Sequence, residues 1–569
     1  MSQTTSPSPS PAASPAPRTP SAVDAIANDY LEAQLRLSPE LGVMLGRKDV
    51  PDTYSDYSPA GTAAQRALLV DTLTRLDAVE PSDDVDVVTI DILRERLGLD
   101  IEIIDSGRTQ LNNLESVPQS VRNLIDLMPQ ESAEDFAKIA ARLEHLPAAL
   151  TGYTASLEAS RGAGHVPAVR QVDEVAGQCR AYARAGGYFD ELAAQGAAAA
   201  GDDAALGERL NEASEACKAA YSAMAAYLAE QLRPHAPAKD AVGREYYSLM
   251  SRSFLGAQVD LEETYAWGVA ELDRIIAEQE AVAEEIAPGQ GLERAREILN
   301  SDPERALHGT DALRAWMQET SDRALGDLAG THFDIDAPMD RLECMIAPTH
   351  EGGIYYTPPS PDFSRAGRMW WSVPEGETEF FTWSETSTVY HEGVPGHHLQ
   401  CATALLASDE LNDYRAQAVW VSGHGEGWAL YAERLMEELG YLSDPGDRLG
   451  MLDGQRLRAA RVVFDIGVHL ELEVPERWGS GTWDADKGWE FLKANMFESE
   501  GRIRFEFLRY LGWPGQAPSY KIGQRLWEEI RAGVRAAEGK AFDEKAFHTR
   551  ALRLGSMGLD SLRRALLGA

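Results

Sequence analysis

Beyond residue 21, apolar residues recur every three to four positions over most of the chain, the spacing that lines one face of an α-helix. "SAVDAIANDYLEAQLRL" (21–37) shows it first, with Ser21 as a cap candidate. The pattern returns in "AAQRALLVDTLTRLDAV" (63–79), "VVTIDILRERLGLDIEIID" (87–105) and "SAEDFAKIAARLEHLPAAL" (132–150). It continues through "EASEACKAAYSAMAAYLAEQL" (212–232) and "LEETYAWGVAELDRIIAEQEAVAEEI" (261–286). No fixed repeat period links these stretches, which argues against a solenoid. After residue 331 the texture changes. "LECMIAPT", "GGIYYTPP" and "GRMWWSVP" are short, rich in β-branched and aromatic residues, and bounded by Gly and Pro, so they predict strands of one small antiparallel sheet. Helical spacing resumes near 384 and runs to the end. The expected fold is mainly α, a large multi-helix body with that sheet beside the helix that follows it.

Three segments follow: a Pro/Ser/Ala-rich tail over 1–21 expected to be disordered, a helical lobe over 22–330, and a second helical lobe with the sheet over 331–569. No linker interrupts 22–569, so the two lobes read as one continuous domain. The tail has no apolar core of a signal peptide and no run of 18 apolar residues occurs anywhere, which predicts neither secretion nor a membrane span. With 53 basic against 91 acidic residues the net charge is −38. Such a surface repels nucleic acid and anionic lipid. Four cysteines, at 179, 217, 344 and 401, form no C-x-x-C pair and read as reduced, buried thiols of a cytoplasmic protein.

Candidate chemistry gathers in one segment. Five of the 12 histidines lie between 391 and 469: His391, His397, His398, His424 and His469. "TVYHEGVPGHHLQC" (388–401) resembles H-E-x-x-H with a Pro-Gly pair inserted before the second histidine. In H-E-x-x-H the two histidines share a helix face and bind zinc, while the Glu acts as general base. An unbroken helix fails here. Six positions from His391 to His397 amount to about 120° of rotation and about 9 Å of rise, and seven positions to His398 to about 10.5 Å. Pro395 cannot donate to the His391 carbonyl, and Gly396 tolerates unusual backbone angles. A bulge there absorbs the extra length and carries His397 to the second-ligand position, with His398 as the alternative. "GHGEGWALYAERL" (423–435) supplies Glu426 between two glycines, a third-ligand candidate from a second helix, although an acidic residue in a first helical turn also suits the helix dipole. Glu433, seven residues on, shares its face and suits either a hydrogen bond to a ligating histidine or a solvated surface.

"YHEGVPGHHLQ", "GHGEGWALYAE" and "GWPGQAPSYKIG" (512–523), with the opening "NDYLEAQLRLSPELGVMLG", resemble marker segments of the bacterial domain-of-unknown-function family 885. The resemblance covers nearly the whole chain beyond the tail. It implies a fold similar to the carboxypeptidase Taq group, mainly helical zinc metallopeptidases of the gluzincin type with a deep cleft. "EGWALYAE" is also similar to the "NEGFAxYxE" segment of zinc aminopeptidases, where the first Glu binds the metal, which implies that role for Glu426. Peptidases of this type often use a tyrosine hydroxyl at the oxyanion, which makes Tyr520 of "PSYKIG" the candidate, with His424 and His469 as alternative donors. Arg461, Asp465 and His469 fall at helical steps of four and suit an internal ion-pair network. The "YYTPP" and "MWWSV" strands suit either an edge that holds a peptide or ordinary packing.

The expected function is a Zn2+-dependent hydrolase, a carboxypeptidase-like metallopeptidase acting on a peptide or small amide. His391, His397 and Glu426 are the expected ligands, Glu392 the base, and Tyr520 or His424 the oxyanion donor. Two rivals remain: a non-catalytic peptide-binding scaffold on the same fold, and a zinc hydrolase of other amides or esters. The sequence leaves the assembly open, a homodimer included.

Overall fold

Ser21 does open the first helix, Ala22–Leu37. Its side chain accepts from the Asp24 N–H and the Asp24 carboxylate accepts from the Ser21 N–H, a capping box that satisfies two otherwise orphaned donors. The computed structural model describes residues 18–47, 49–348 and 353–568. The expected disorder of the tail therefore falls almost wholly outside the described residues, as does the 349–352 part of the strand segments. Helices carry most of the rest, from Ala22–Leu37 to Leu559–Leu567, so the chain is mainly α.

The buried apolar residues form two cores. One runs from Val23 to Leu562 and joins residues such as Leu272 and Leu313 to Val462 and Phe464. The other is built within Leu111–Leu232, by helices such as Ala133–Gly162 and Ala204–Tyr227. The expected division near residue 330 thus falls within the main core, and the second core is built within 111–232. Both units are helical, and periodicity alone marks no boundary between them.

Among the described residues, five strands form two sheets where one was expected. β1 (Ala306–His308) pairs antiparallel with β5 (Glu379–Phe381). β2 (Leu342–Ile346), β3 (Ile354–Thr357) and β4 (Gly367–Trp371) form a sheet of order β2–β4–β3. There β4 lies antiparallel to β3 but parallel to β2, which corrects the all-antiparallel expectation. β4 is therefore central, and its backbone is not an edge free for a peptide. The sheet does lie beside the histidine segment. A Cβ on Gly393 would meet the Leu342 and Met369 side chains at 3.2 and 3.3 Å. β5 leads directly into the helix Thr382–Glu392 that carries the first histidine.

Two further helices close on the site through glycine. A Cβ on Gly523 would lie 2.3 Å from the Gly423 carbonyl oxygen and 2.9 Å from the Gly427 Cα. Helices Ser422–Glu438 and Ser519–Glu538 thus touch backbone to backbone, which explains two glycines of "GHGEG" by packing. No helix among the described residues is long and apolar enough to cross a membrane. All four cysteines are unpaired, and three of them are buried.

Candidate metal centre

The inserted residues make a tight turn between two helices. Thr382–Glu392 ends at Gly393, and His397–Leu406 starts after Gly396. The Gly396 N–H donates to the Tyr390 carbonyl at 3.0 Å and the His398 N–H to the Gly393 carbonyl at 3.1 Å. The turn leaves the carbonyls of Pro395 and Gly396 buried, and the Trp428 indole N–H donates to both, at 2.9 and 3.2 Å. The Gly396 carbonyl also accepts from the Gln400 N–H at 3.1 Å; a buried carbonyl without a donor costs about 1–3 kcal/mol, so Trp428 of "GEGWALYAE" offsets that cost at Pro395. Sequence reasoning passed over it, because nothing local shows which carbonyls the insertion strands.

The turn brings three predicted ligands together. His391 Nε2 lies 3.3 Å and His397 Nε2 3.5 Å from the same Glu426 oxygen, Oε2. The two imidazoles stand nearly perpendicular, 88° between planes and 5.0 Å between centroids. Glu426 faces the open side with 18% of its side chain exposed, against 5% and 8% for the histidines. Glu392 joins from the helix end: ligand atoms of His391, Glu392 and His397 lie within 4.8 Å of one another. Its Oε2 is buried without a hydrogen-bond partner among the described residues. Burial pushes the Glu392 carboxyl up from its ordinary value, against the pull of His397 and His391.

His391 Nδ1 is 2.8 Å from Glu433 Oε1, and Glu433 is buried. That carboxylate fixes the ring with its Nδ1 proton toward Glu433. A neutral His391 then turns its Nε2 lone pair to a carboxylate oxygen, a repulsive contact unless a positive charge sits between them. Burial works to lower the His391 value, but the Glu426 and Glu433 carboxylates hold it up at about 10. Burial likewise opposes ionisation of Glu426, yet hydrogen bonds from His391 and His397 keep it well below the usual range. Three clustered carboxylates cannot stay ionised in a dry site without compensation.

The residues fit a zinc ion. Bonds of about 2.0–2.1 Å at tetrahedral angles put neighbouring ligand atoms about 3.3–3.4 Å apart, and the histidine-to-Glu426 separations are 3.3 and 3.5 Å. Two imidazoles and one carboxylate, with a second carboxylate on the far nitrogen of one histidine, are the donor types such a site uses.

His398, the alternative second ligand, turns away. Its Nε2–H donates to the Met339 carbonyl at 2.8 Å, and Nδ1 is 2.9 Å from the Tyr356 hydroxyl. Gly367 of β4 makes room for that pair, since a Cβ there would stand 2.2 Å from the Tyr356 oxygen. His424 also stays outside the cluster. Gln400 Nε2 donates to its Nδ1 at 3.0 Å, its ring packs on Trp527 at 5.1 Å, and burial drops its value to about 3. Tyr520 feels the charge of one candidate ligand. Burial and then the Glu426 charge push its hydroxyl up, and its ring is 4.9 Å from the Arg461 guanidinium.

Arg461, Asp465 and His469 do share a buried helix, Pro445–Leu470, but each pairs with another element. Arg461 binds Glu506 and the Tyr510 hydroxyl, and His469 donates to the Tyr510 carbonyl. Asp465 accepts from the Tyr247 hydroxyl and the Gly515 N–H, both at 2.8 Å and both on Oδ1. Burial pushes its carboxyl up to about 7, and those hydrogen bonds pull only partly back. The folded state holds this proton more tightly than an unfolded Asp, whose value is about 3.9. Its stabilising contribution is therefore complete below about pH 4 and is lost as the pH rises through about 7. Asp465→Asn keeps the Oδ1 acceptor and cannot ionise. Thermal melts should show its advantage over the wild type growing by about 3 kcal/mol between pH 5 and pH 8.5. An equal melting temperature at both pH values would refute the assignment.

A cleft of about 430 Å³ opens against Glu426, walled by Trp420, Phe254, Tyr414, Trp513 and Gln516 among others. Trp420 gave no signal in the sequence beyond being an aromatic near the glycines.

Comparison with known proteins adds a fold and a family. No match is found among curated proteins. The chain is similar to the crystal structure of a "putative lipoprotein" from Colwellia psychrerythraea, with TM-score 0.81 and 19% identity, over 96% of this chain and 98% of that one. It is also similar to a "putative lipoprotein of unknown function" from Shewanella oneidensis, with TM-score 0.73 and 18% identity, over 96% and 99% of the two chains. At such identities the likeness establishes the shared fold. Residues 39–566 match the family described as bacterial protein of unknown function, DUF885, and the chain belongs to that family.

Proposed function

We propose that this protein is a zinc-dependent hydrolase that cleaves peptide or small amide bonds. One observation carries the reading: imidazole nitrogens of His391 and His397 converge on a single Glu426 oxygen at 3.3 and 3.5 Å, with Glu392 grouped with the two histidines. His391, His397 and Glu426 would hold the ion, and Glu433 would orient His391. Zinc, when bound there, would polarise the scissile carbonyl and favour deprotonation of water. Glu392 takes a proton from the attacking water as its oxygen bonds to the carbonyl carbon. It then gives that proton to the leaving nitrogen as the C–N bond breaks, and returns to its ionised form. One water is consumed, and an acid and an amine leave. A buried carboxyl with a raised value suits both transfers near neutral pH. Tyr520, whose hydroxyl stays protonated at neutral pH, is the proposed donor to the oxyanion.

Carboxypeptidase-like action rests on the resemblance to the carboxypeptidase Taq group. The cytoplasm is the proposed location, because four unpaired cysteines suit a reducing compartment. The two similar structures are described as lipoproteins, so cell fractionation decides between cytosol and envelope.

Metal analysis of protein purified without chelator tests the centre. About one equivalent of zinc per chain is expected, given the tight binding of such ligand sets. Less than about a tenth of an equivalent favours the peptide-binding scaffold. A peptide-library digest read by mass spectrometry then tests the chemistry. Full metal with no cleavage of any peptide removes the peptidase reading and leaves a hydrolase of other amides or esters.

A further inference from the structure

The cleft beside Glu426 says something about what the site takes. Trp420 is 53% exposed, an unusual position for the largest apolar side chain. It is nonetheless held in place. A Cβ on Gly425 would stand 2.3, 2.6 and 3.0 Å from three atoms of its six-membered ring, so only glycine at 425 lets the indole lie against this helix. Gly425 directly precedes the ligand candidate Glu426, and the indole centroid is 6.1 Å from the His397 ring. One face of the indole is thus seated on the site helix, and the uncovered part lines the cleft. Phe254 and Trp513, packed edge to face at 5.6 Å, add aromatic surface to the same cleft.

We infer that this cleft binds an aromatic side chain of the substrate, on a residue flanking the scissile amide, with Trp420 as its stacking platform. The inference rests on the hydrolase reading and adds the substrate class. The cavity, about 430 Å³, lies within the roughly 300–1,000 Å³ of small-ligand sites. An aliphatic side chain would gain from burial there. An aromatic one gains in addition about 0.5–1.5 kcal/mol from offset or edge-to-face ring contact, and the pre-seated indole loses little freedom when it binds. Arg96 and Asp100, both in the wall, bring opposite charges that leave no single sign to select a charged side chain.

The test compares peptides that differ only beside the scissile bond, carrying Phe, Leu, Ala or Glu, with the zinc-loaded wild type, Trp420→Ala and Trp420→Phe. The wild type should favour Phe over Ala by about tenfold or more in kcat/KM. Trp420→Ala should collapse that ratio by about tenfold, and Trp420→Phe should restore most of it. A wild type indifferent to the aromatic ring overturns the inference, and so does a ratio unchanged in Trp420→Ala. If the wild type cleaves none of the series, the hydrolase reading has failed separately. The pocket is then judged by calorimetric titration with N-acetylphenylalanine amide. Saturable binding to the wild type that weakens about tenfold in Trp420→Ala supports it, and no binding, or equal binding, overturns it.

Discussion

Glu392→Gln should lower kcat/KM on any cleaved peptide by about a thousandfold while the protein keeps its zinc, since a positioned general base contributes about a hundredfold to ten-thousandfold. The two halves of this result come from different atoms. The ion would be held by His391, His397 and Glu426, whose facing atoms lie 3.3 and 3.5 Å apart. Glu392 groups with the two histidines, yet its Oε2 has no hydrogen-bond partner among the described residues, so its replacement breaks no bond that orders the ligands. Glutamine has nearly the same volume and cannot accept a proton at neutral pH. The loss should appear in kcat with KM little changed, the pattern of an interaction made only in the transition state. Thermal stability should hold or rise slightly, because one of three clustered carboxylates is neutralised. Activity within tenfold of the wild type would remove Glu392 from the base role. Loss of zinc together with activity would make it a ligand instead.

Much of this was legible in the sequence, for reasons that differ by residue. Helix starts such as Ser21 are local: the cap and its Asp24 partner are three residues apart, and periodicity reads them. Strands at 342–346, 354–357 and 367–371 were legible as strands, but their order was not. Whether β4 pairs with β2 in parallel depends on a chain path that no local pattern encodes. β1, three residues long, is too short to show any alternation. The second core around 111–232 was missed because helical periodicity does not say which helices pack together. At the site, the sequence grouped His391, His397 and Glu426 as candidate ligands, and the structure does bring both imidazoles to one Glu426 oxygen. Trp428 was not legible, since its bond to Pro395 spans 33 residues and answers a demand created by the insertion. Trp420 was hidden for a similar reason: its seat is Gly425, and a glycine records only that something comes close, never what. His424 was over-read, because adjacency in sequence to Glu426 does not turn a side chain toward the same space.

The inserted turn predicts the second large effect. Gly396→Ala should abolish zinc binding and destabilise the fold by about 3 kcal/mol or more. The reason is a direct contact. A Cβ there would lie 1.9 Å from the His391 carbonyl oxygen and 2.5 Å from that of Tyr390. Neither oxygen can yield, because both belong to the last turn of the helix that carries His391 and Glu392. The methyl group must therefore push the turn away from that helix end. Residue 397 follows immediately, so the displacement falls on the second imidazole. The Trp428 indole, bonded to the carbonyls of residues 395 and 396, loses its acceptors in the same movement. Destabilisation alone proves little, so the comparison needs a variant crowded elsewhere. Gly196→Ala places a Cβ 2.4 Å from Leu210 and 2.7 Å from Phe136 in the second core, far along the chain from the ligands. It should lower the melting temperature and leave one equivalent of zinc bound. If Gly396→Ala also retains its zinc, the turn does not set the position of His397, and the ligand must be sought elsewhere.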